Sequence, residues 1–350
     1  AVVYDNKNGD GKQANMVLEF DPKDENNKVI QTTSAGLGAN AHIGVYVVGD
    51  DSTDPYKRHG TVGLPFGTWN KDQNLNCFTN DRDESLFGVN DTGVSGAASS
   101  QLIYWARYIC KIVDNNGEHP FTTLNSAVTY ARGNKATLPM DATHPVKIQM
   151  LVDYVIPNSD KLLLDQSGDN IILTTAATKE KLPTGETLAF RPLFTEAQGR
   201  ASTDSAEVAI LQRGWNDNSS TSKSLVYVGT SDNTRFATQN ITFDGRSMLD
   251  AESALTQKTG RLVYGNQNGS LSMGDSTTVR YFHMGDADDG GAVFSNSADV
   301  TITGSTFQAC WTGNNGGAIC LNKGGILENV SIDGAGISSG TANAKPGSAI

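Results

Sequence analysis

Short runs in which apolar and small polar residues alternate recur along the chain from residue 146 onward. They include VKIQMLVDYVIP, NIILTTA, EVAILQRG and SLVYVG, which begin at Val146, Asn170, Glu207 and Ser224. Alternation with a period of two predicts strands with one buried face, and the Gly, Asn and Asp residues between the runs predict tight turns. The pattern indicates an all-β fold of many short strands.

Two motifs repeat in step toward the carboxyl-terminal end. The first motif is RLVYG, GGAVF, GGAIC and GSAI, which begin at Arg261, Gly290, Gly316 and Gly347. The second motif is NITFDG, DVTITG and NVSIDG, which begin at Asn240, Asp299 and Asn329. Two short strands in each repeat of roughly 30 residues predict a parallel β-helix, a solenoid whose windings stack on one another. Val293 and Ile319 should then lie on neighbouring windings, with Cys310 and Cys320 filling the interior.

A single helix is predicted ahead of these windings. PFTTLNSAVTYARG, residues 120–133, has Leu124, Ala127, Val128 and Ala131 at helical spacing, a Thr at its start and Gly133 at its end. We expect this helix to cap the first winding, because a bare solenoid end exposes apolar side chains and unpaired backbone groups. Residues 1–105 predict a smaller β-rich segment, and residues 106–350 predict the solenoid. GSAI begins a winding that it does not complete, which predicts a truncated end.

Charge and cysteine spacing narrow the classes of function. The formal net charge of -11 repels nucleic acid, and no apolar run approaches the ~20 residues that cross a bilayer. The four cysteines, Cys77, Cys110, Cys310 and Cys320, form no CxxC pair, so neither a zinc site nor a disulfide framework is indicated. We expect buried free thiols, no nucleic-acid partner and no membrane insertion.

The sequence resembles a family of large cell-surface proteins of gut-dwelling Gram-positive bacteria that carry serial right-handed parallel β-helix modules. CKIVDNNGEHPFTTLNSAV, the VKIQMLVDY strand and the later GGA windings carry the resemblance, and those windings are also similar to repeats of chlamydial polymorphic membrane proteins. RHGTVGLPFGTW and LNCFTNDRD resemble the end of a preceding module. The resemblance implies an extracellular adhesin, monomeric within a longer chain, whose relatives include immunoglobulin-binding proteins.

The acidic run GDADDGG is the candidate for chemistry. Asp286, Asp288 and Asp289 could bind calcium or act in a polysaccharide lyase, with Arg261 or Arg280 as the base. The GHG and RIK-like segments typical of β-helix hydrolases do not occur, which favours solvated turn acids. Asn6, Asn8 and Asp10 follow EF-hand spacing, but Val17 stands where the loop needs Glu. His283 is the most notable of the histidines, although no nucleophile accompanies it. We therefore predict no catalytic residue, no metal site and no cofactor, with calcium the one ion left open.

Large aromatic side chains in the loops indicate a binding surface, because rigid rings supply much of the affinity at interfaces. The candidate binding residues are Trp215, Tyr281, Phe282, Asp286, Asp288, Asp289, Trp311, Asn314 and Asn315. We expect a non-catalytic adhesion segment that presents these loops to a host protein, such as an immunoglobulin, or to a glycan. A polysaccharide lyase or hydrolase and a structural stalk are the alternatives.

Overall fold

A computed structural model divides the chain into two compact units, Ala1–Tyr108 and Ile109–Ile350. Within residues 108–336 the structure describes all but 142, 178–180, 183–184, 187, 191, 217–222, 230, 248–254, 275 and 286–287; of residues 181–186 it describes the strand backbones alone, as it does within 1–107 and 337–345. Cys77, Asp286 and the EF-hand-like run at Asn6 lie outside the described residues.

The first unit contains seven described strands. They are β1 (Val2–Val3), β2 (Val17–Glu19), β3 (His42–Val48), β4 (Thr61–Gly63), β5 (Phe78–Asn80), β6 (Phe87–Asn90) and β7 (Leu102–Arg107). Strand β3 pairs in parallel with β1, β2 and β5, whereas β7 pairs antiparallel with β4 and β6.

The second unit holds one described α-helix and the remaining strands. Its first elements are β8 (Cys110–Asp114), β9 (Gly117–Phe121), α1 (Leu124–Gly133), β10 (Val146–Met150), β11 (Tyr154–Ile156), β12 (Leu162–Leu164), β13 (Asn170–Thr175), β14 (Lys181–Leu182), β15 (Gly185–Glu186), β16 (Ile210–Arg213), β17 (Ser224–Val228), β18 (Thr234–Gln239) and β19 (Ile241–Asp244). They continue as β20 (Arg246–Ser247), β21 (Thr256–Gln257), β22 (Arg261–Gly265), β23 (Gly269–Met273), β24 (Thr277–Arg280), β25 (Val293–Ser295), β26 (Val300–Thr303), β27 (Thr306–Gln308), β28 (Trp311–Thr312), β29 (Ile319–Leu321), β30 (Ile326–Glu328), β31 (Ser331–Asp333), β32 (Gly336–Ser338) and β33 (Ala344–Lys345).

Three sheets organise the second unit, and the chain visits them in a fixed order. Sheet I contains β10, β13, β18, β23, β26 and β30; sheet II contains β11, β16, β19, β24, β27 and β31; sheet III contains β12, β17, β22, β25 and β29. Adjacent strands within each of these sheets pair in parallel. The chain runs from a strand of sheet I to one of sheet II, then to one of sheet III, and then back to sheet I. One pass of the chain through sheets I, II and III is called a rung below, and β10, β11 and β12 form the first rung.

Each sheet buries at least one column of apolar side chains in strict register. In sheet III, Val226 pairs with Val263, Val263 with Val293, and Val293 with Ile319, and these side chains are fully buried. The prediction that Val293 and Ile319 lie on neighbouring windings is therefore confirmed. Sheet II buries Phe243 and Phe307 in the same way, and burying each ring contributes about 2 to 3 kcal/mol. The mostly β architecture with parallel sheets is the one that the alternating pattern predicts.

Single left-handed residues turn the chain between sheets I and II. The φ values of these residues are 49° for Asn240, 60° for Ser276, 56° for Gly304 and 54° for Asn329. Asn240 and Ser276 directly precede a strand of sheet II, whereas one residue separates Gly304 and Asn329 from theirs. Asn and Gly tolerate this conformation best, since a short polar side chain or none limits the clash with the backbone. The Asn at the head of NITFDG and NVSIDG is thus a corner residue.

Helix α1 and the β8–β9 hairpin cover the first rung. Thr123 caps the helix by accepting a hydrogen bond from the Ser126 amide, and the four predicted apolar residues are buried, which confirms the helix prediction. The Asp160 carboxylate accepts hydrogen bonds from the Leu124 and Asn125 amides, both at 2.8 Å. Arg132 binds Asp169 at 2.6 Å. Side chains from the first rung and the loop after it therefore hold both ends of the helix.

The structure corrects three details of the repeat. DVTITG forms β26 in sheet I, whereas NITFDG and NVSIDG form strands of sheet II, because the alternation and the terminal Gly suit a strand and turn in any sheet. RLVYG lies next to GGAVF, but Val263 pairs with Val293 and not with Ala292, whose carbonyl accepts from both Leu262 and Val263.

The third correction concerns the thiols. Among the described cysteines, Cys110 and Cys310 are buried and free, as predicted, but Cys320 is half-buried. It pairs with Phe294 on the outward side of sheet III, since successive side chains of a strand point to opposite faces and its neighbour Ile319 is the buried one.

Candidate functional site

The candidate site lies in two stacked loops that connect sheet II to sheet III, residues 281–292 and 309–318. The loops are bound to each other through their backbones, with Gly290 N donating to Asn315 O at 2.8 Å and Ala292 N to Ala318 O at 2.9 Å. Gly290 and Gly316 have φ values of 65° and 63°. A Cβ atom on Gly316 would lie 2.1 Å from the Ile319 carbonyl oxygen, so the GG pair serves close backbone packing.

Charged side chains from three consecutive rungs meet above these loops. Lys223 Nζ lies 2.7 Å from Asp288 Oδ2, and Arg261 Nη2 lies 4.0 Å from Asp288 Oδ1. Lys223 and Asp288 remain about one quarter exposed. We call Lys223, Arg261, Asp288, Asp289 and Asn315 the Asp288 cluster. It brings together predicted site residues from separate parts of the chain with two cations.

Asp289 holds the neighbouring loop. Its Oδ1 atom accepts hydrogen bonds from the Asn315 backbone amide at 3.0 Å and from Asn315 Nδ2 at 2.9 Å. Thr312 also donates its hydroxyl to the Asp288 carbonyl oxygen. Asn314 and Asn315 are exposed at the tip. The Asp289 carboxylate and the Asp288 carbonyl therefore brace the two loops, and Asn314 and Asn315 leave polar groups at the surface.

Arg261 is the buried cation of the cluster. Burial lowers the pKa of its guanidinium, against the opposing effect of the Asp288 carboxylate. The guanidinium lies over the Phe294 ring, 4.9 Å from its centroid. A lyase base must reach the substrate, whereas this side chain is only 6% exposed. Arg261 therefore orients Asp288.

A separate column of side chains runs beside the Asp288 cluster. Thr259 pairs with His283 and His283 with Trp311 in parallel bridges, and Trp311 pairs with Gly336. The His283 and Trp311 rings stack at 4.4 Å between centroids with 14° between planes. Burial, reinforced by the Arg213 charge, lowers the pKa of His283, which favours the neutral imidazole. Thr259 Oγ1 lies 3.1 Å from His283 Nε2 and orients the ring.

Three of the predicted aromatic residues do not join this column. Phe282 is fully buried and belongs to the interior, because it alternates with the outward His283. Tyr281 is half-buried with the Arg246 guanidinium 3.7 Å from its ring centroid, and the Arg213 guanidinium lies 4.3 Å from the Trp215 ring centroid. Of the predicted aromatic residues, Trp311 is the one that lies beside the Asn314 loop.

A second cluster of acidic and arginine side chains lies at sheet II. Arg280 binds Asp244 and Asp204, each at 2.9 Å, and donates to the Gly199 carbonyl at 2.7 Å. Burial lowers the pKa of Arg280, but the two carboxylates outweigh burial and raise it. Asp244 is fully buried. Arg280 is therefore a structural cation that fastens the segment around Gly199, and it does not fit the role of a base.

Sequence reasoning missed an outward ladder of rings on sheet III. Tyr227 stacks on Tyr264 at 5.6 Å, and Tyr264 on Phe294 at 5.2 Å. Asn266 and Asn296 donate to the two Tyr hydroxyls. The sequence signal for this ladder is the aromatic residue that directly follows Val in SLVYV, RLVYG and GAVFS. Because the rings cover each other's faces, the ladder stabilises the stacking of rungs.

Within the part of the chain that the structure describes, His, Cys, Asp and Glu side chains form no group of three that could hold a metal ion. Among the same residues, no helix is long and apolar enough to span a bilayer. Searches against protein-family models, curated proteins and solved structures find no match to this chain. The site geometry is accordingly the basis for the functional proposal.

Proposed function

We propose that sheets I, II and III close into a right-handed parallel β-helix. Five complete passes through the three sheets in one order, and a sixth through sheets I and II, support this. Each return to the same sheet is a crossover between parallel strands, and such crossovers are right-handed in nearly all proteins. The buried apolar columns on each of the three sheets fit a shared interior. A crystal structure in which the crossovers turn left-handed, or in which the columns face different interiors, would contradict this proposal.

We propose further that the chain is a non-catalytic binding segment of a bacterial surface protein, and that its β-helix loops bind a glycan. One observation carries the proposal: the partly exposed Asp288 cluster lies across consecutive rungs, and the half-buried ring of Trp311 belongs to one of the same two loops. A ring next to a few fixed polar groups is typical of small-ligand sites. Adhesion at the extracellular surface follows from the family resemblance.

Binding is favoured over catalysis by the partners of the charged groups. Asp288 is neutralised by Lys223, and Asp289 accepts two hydrogen bonds from Asn315. The buried Asp244 is held by Arg280 and Arg246. Carboxylates held in this way fix loop geometry, whereas a general acid or base must exchange a proton with a bound substrate.

The test combines three measurements on the full chain. The chain is applied to a glycan array and to a panel of host immunoglobulins, and polygalacturonate is incubated with it with and without calcium. We expect retention of a glycan without product release. Asp289→Asn should weaken retention, and Asp299→Asn is the matched control, because Asp299 is an exposed acid in a different loop.

The other outcomes distinguish the alternatives. Calcium-dependent cleavage would overturn the non-catalytic proposal and support a lyase, which the meeting of Lys223, Arg261 and Asp288 on adjacent rungs would then explain. Retention of an immunoglobulin alone would assign the loops to a protein partner. A folded chain that retains nothing would leave a structural stalk as the better description.

A further inference from the structure

We propose that Arg261 and Asp288 together bind one hydroxyl group of an uncharged sugar unit. The hydroxyl oxygen would accept a hydrogen bond from Arg261 Nη2, and the hydroxyl would donate its hydrogen to Asp288 Oδ1. This inference rests on the proposed function, since it names the ligand group and the contact point within the same binding site.

The guanidinium of Arg261 is a buried donor group without an acceptor among the described residues. Its side chain is 6% exposed, and its Nε atom is buried without a partner. The rings of Phe294 and Tyr264 lie 4.9 Å and 5.5 Å from the guanidinium carbon, but a ring face attracts positive charge without offering a lone pair to an N–H donor. Because a buried charged donor without an acceptor costs free energy, this side chain favours a ligand that supplies one.

Asp288 offers an open acceptor next to this donor. Its Oδ2 atom lies 2.7 Å from Lys223 Nζ, whereas no donor of the described residues reaches Oδ1 at hydrogen-bond distance. The side chains of Lys223 and Asp288 are 27% and 24% exposed, so a solute can reach this carboxylate from solvent. A donor and an acceptor that lack partners thus lie 4.0 Å apart at the surface of the Asp288 cluster.

The 4.0 Å separation suits a single bridging oxygen atom. An oxygen placed about 2.8 Å from both Arg261 Nη2 and Asp288 Oδ1 would make roughly a right angle with them. A hydroxyl group accepts one hydrogen bond and donates another from the same atom, so it can serve both partners. A trans peptide group fits less well, because its N–H and C=O groups point in opposite directions. The spacing therefore favours a hydroxyl over a peptide ligand.

The charges around this position disfavour an ionised ligand group. A ligand carboxylate bound to Arg261 would lie beside the Asp288 carboxylate, and a ligand ammonium bound to Asp288 would lie beside the guanidinium. Like charges at such distances repel, and the repulsion is stronger in a partly buried site than in water. Lys223 and Asp289 complete a set of two cations and two acids. A balanced set of this kind favours an uncharged hydroxyl.

The experiment uses the full chain and a glycan array that carries neutral and uronate-containing oligosaccharides. The neutral oligosaccharide with the strongest signal, and its analogues that each lack one hydroxyl, are titrated by calorimetry against the parent and two variants. Asp288→Ala removes the acceptor, and Arg261→Lys keeps the charge but removes the fork of donors. Asp165→Ala and Arg132→Lys are the matched controls, because Asp165 and Arg132 form an acid–arginine pair at 3.2 Å away from this site.

We expect one deoxy analogue to bind the parent about tenfold or more weakly than the intact sugar, and to lose less than about twofold against Asp288→Ala. Both control variants should keep the tenfold loss of the parent.

The remaining outcomes separate this inference from the proposed function. If every deoxy analogue lost as much affinity for Asp288→Ala as for the parent, the hydroxyl would be bound elsewhere, and the inference would be overturned while glycan binding stands. Unchanged affinity of Asp288→Ala for the intact sugar would leave only a bridging water between the two side chains, which also overturns it. Circular dichroism reports on folding, and Asp288→Ala keeps the test valid if Arg261→Lys fails to fold. Signals from uronate glycans alone would overturn the uncharged class, and an array without any signal would overturn glycan binding itself.

Discussion

Replacing Gly316 by Ala tests whether the GG pair is required by backbone geometry. Gly316 has a φ of 63°, and its added Cβ would lie 2.1 Å from the Ile319 carbonyl oxygen and 2.9 Å from the Cys320 Cβ. The left-handed conformation alone costs an L residue about 1 to 2 kcal/mol. The oxygen contact is too short to persist, so the loop must move away from its neighbour.

That movement has a further cost, because Gly316 O accepts a hydrogen bond from Gly291 N at 3.2 Å and Ala318 O accepts from Val293 N at 2.9 Å. We expect Gly316→Ala to lower the free energy of unfolding by about 2 to 4 kcal/mol in total. Urea titration followed by tryptophan emission and far-ultraviolet circular dichroism measures this change.

Gly133→Ala is the matched control. Gly133 ends helix α1 without a left-handed φ, and no heavy atom of the described residues lies within 4 Å of an added Cβ. Ala restricts the unfolded chain more than Gly, so this variant should gain about 0.5 kcal/mol. Opposite signs for the two Gly→Ala changes are the expected result. If Gly316→Ala were as stable as the parent within about 0.5 kcal/mol, the reasoning from close backbone packing would be refuted.

Three further predictions follow from buried groups. Asp160→Ala strands the amide donors of Leu124 and Asn125 and should destabilise the chain by about 3 kcal/mol, and Asp160→Asn by less, in urea titrations; equal losses would contradict the role of the carboxylate. Because the pKa of His283 is lowered in the folded state, the unfolded state protonates first as the pH falls, so stability should drop below about pH 6.5 by at most about 1.4 kcal/mol per pH unit. The His283→Gln variant, unfolded across pH 5 to 8, should lack that part of the slope. Iodoacetamide at pH 9 should alkylate half-buried Cys320 before Cys310, because burial raises the pKa of the Cys310 thiol to about 12. Mass spectrometry measures the two rates, and equal rates would contradict the burial of Cys310.

The sequence by itself determined the elements and the spacing of the windings. Alternating residues predicted the strands, and the helix at Leu124 followed from apolar spacing with a Thr cap, because these signals depend on neighbours within one element. The repeated GG pair predicted that Val293 and Ile319 lie on adjacent windings, since a tight turn at a fixed offset returns the chain to the same place.

Only the tertiary structure decided which sheet each strand joins and which partners each charge meets. DVTITG and NVSIDG look alike in sequence but belong to different sheets, because alternation defines a strand and does not name its neighbour. Asp288 meets Lys223 from two rungs before it, and Trp311 meets His283 on one side and Gly336 on the other. These contacts depend on the register between rungs, which is set by corner residues and packing along the whole stack and is not written in any one segment.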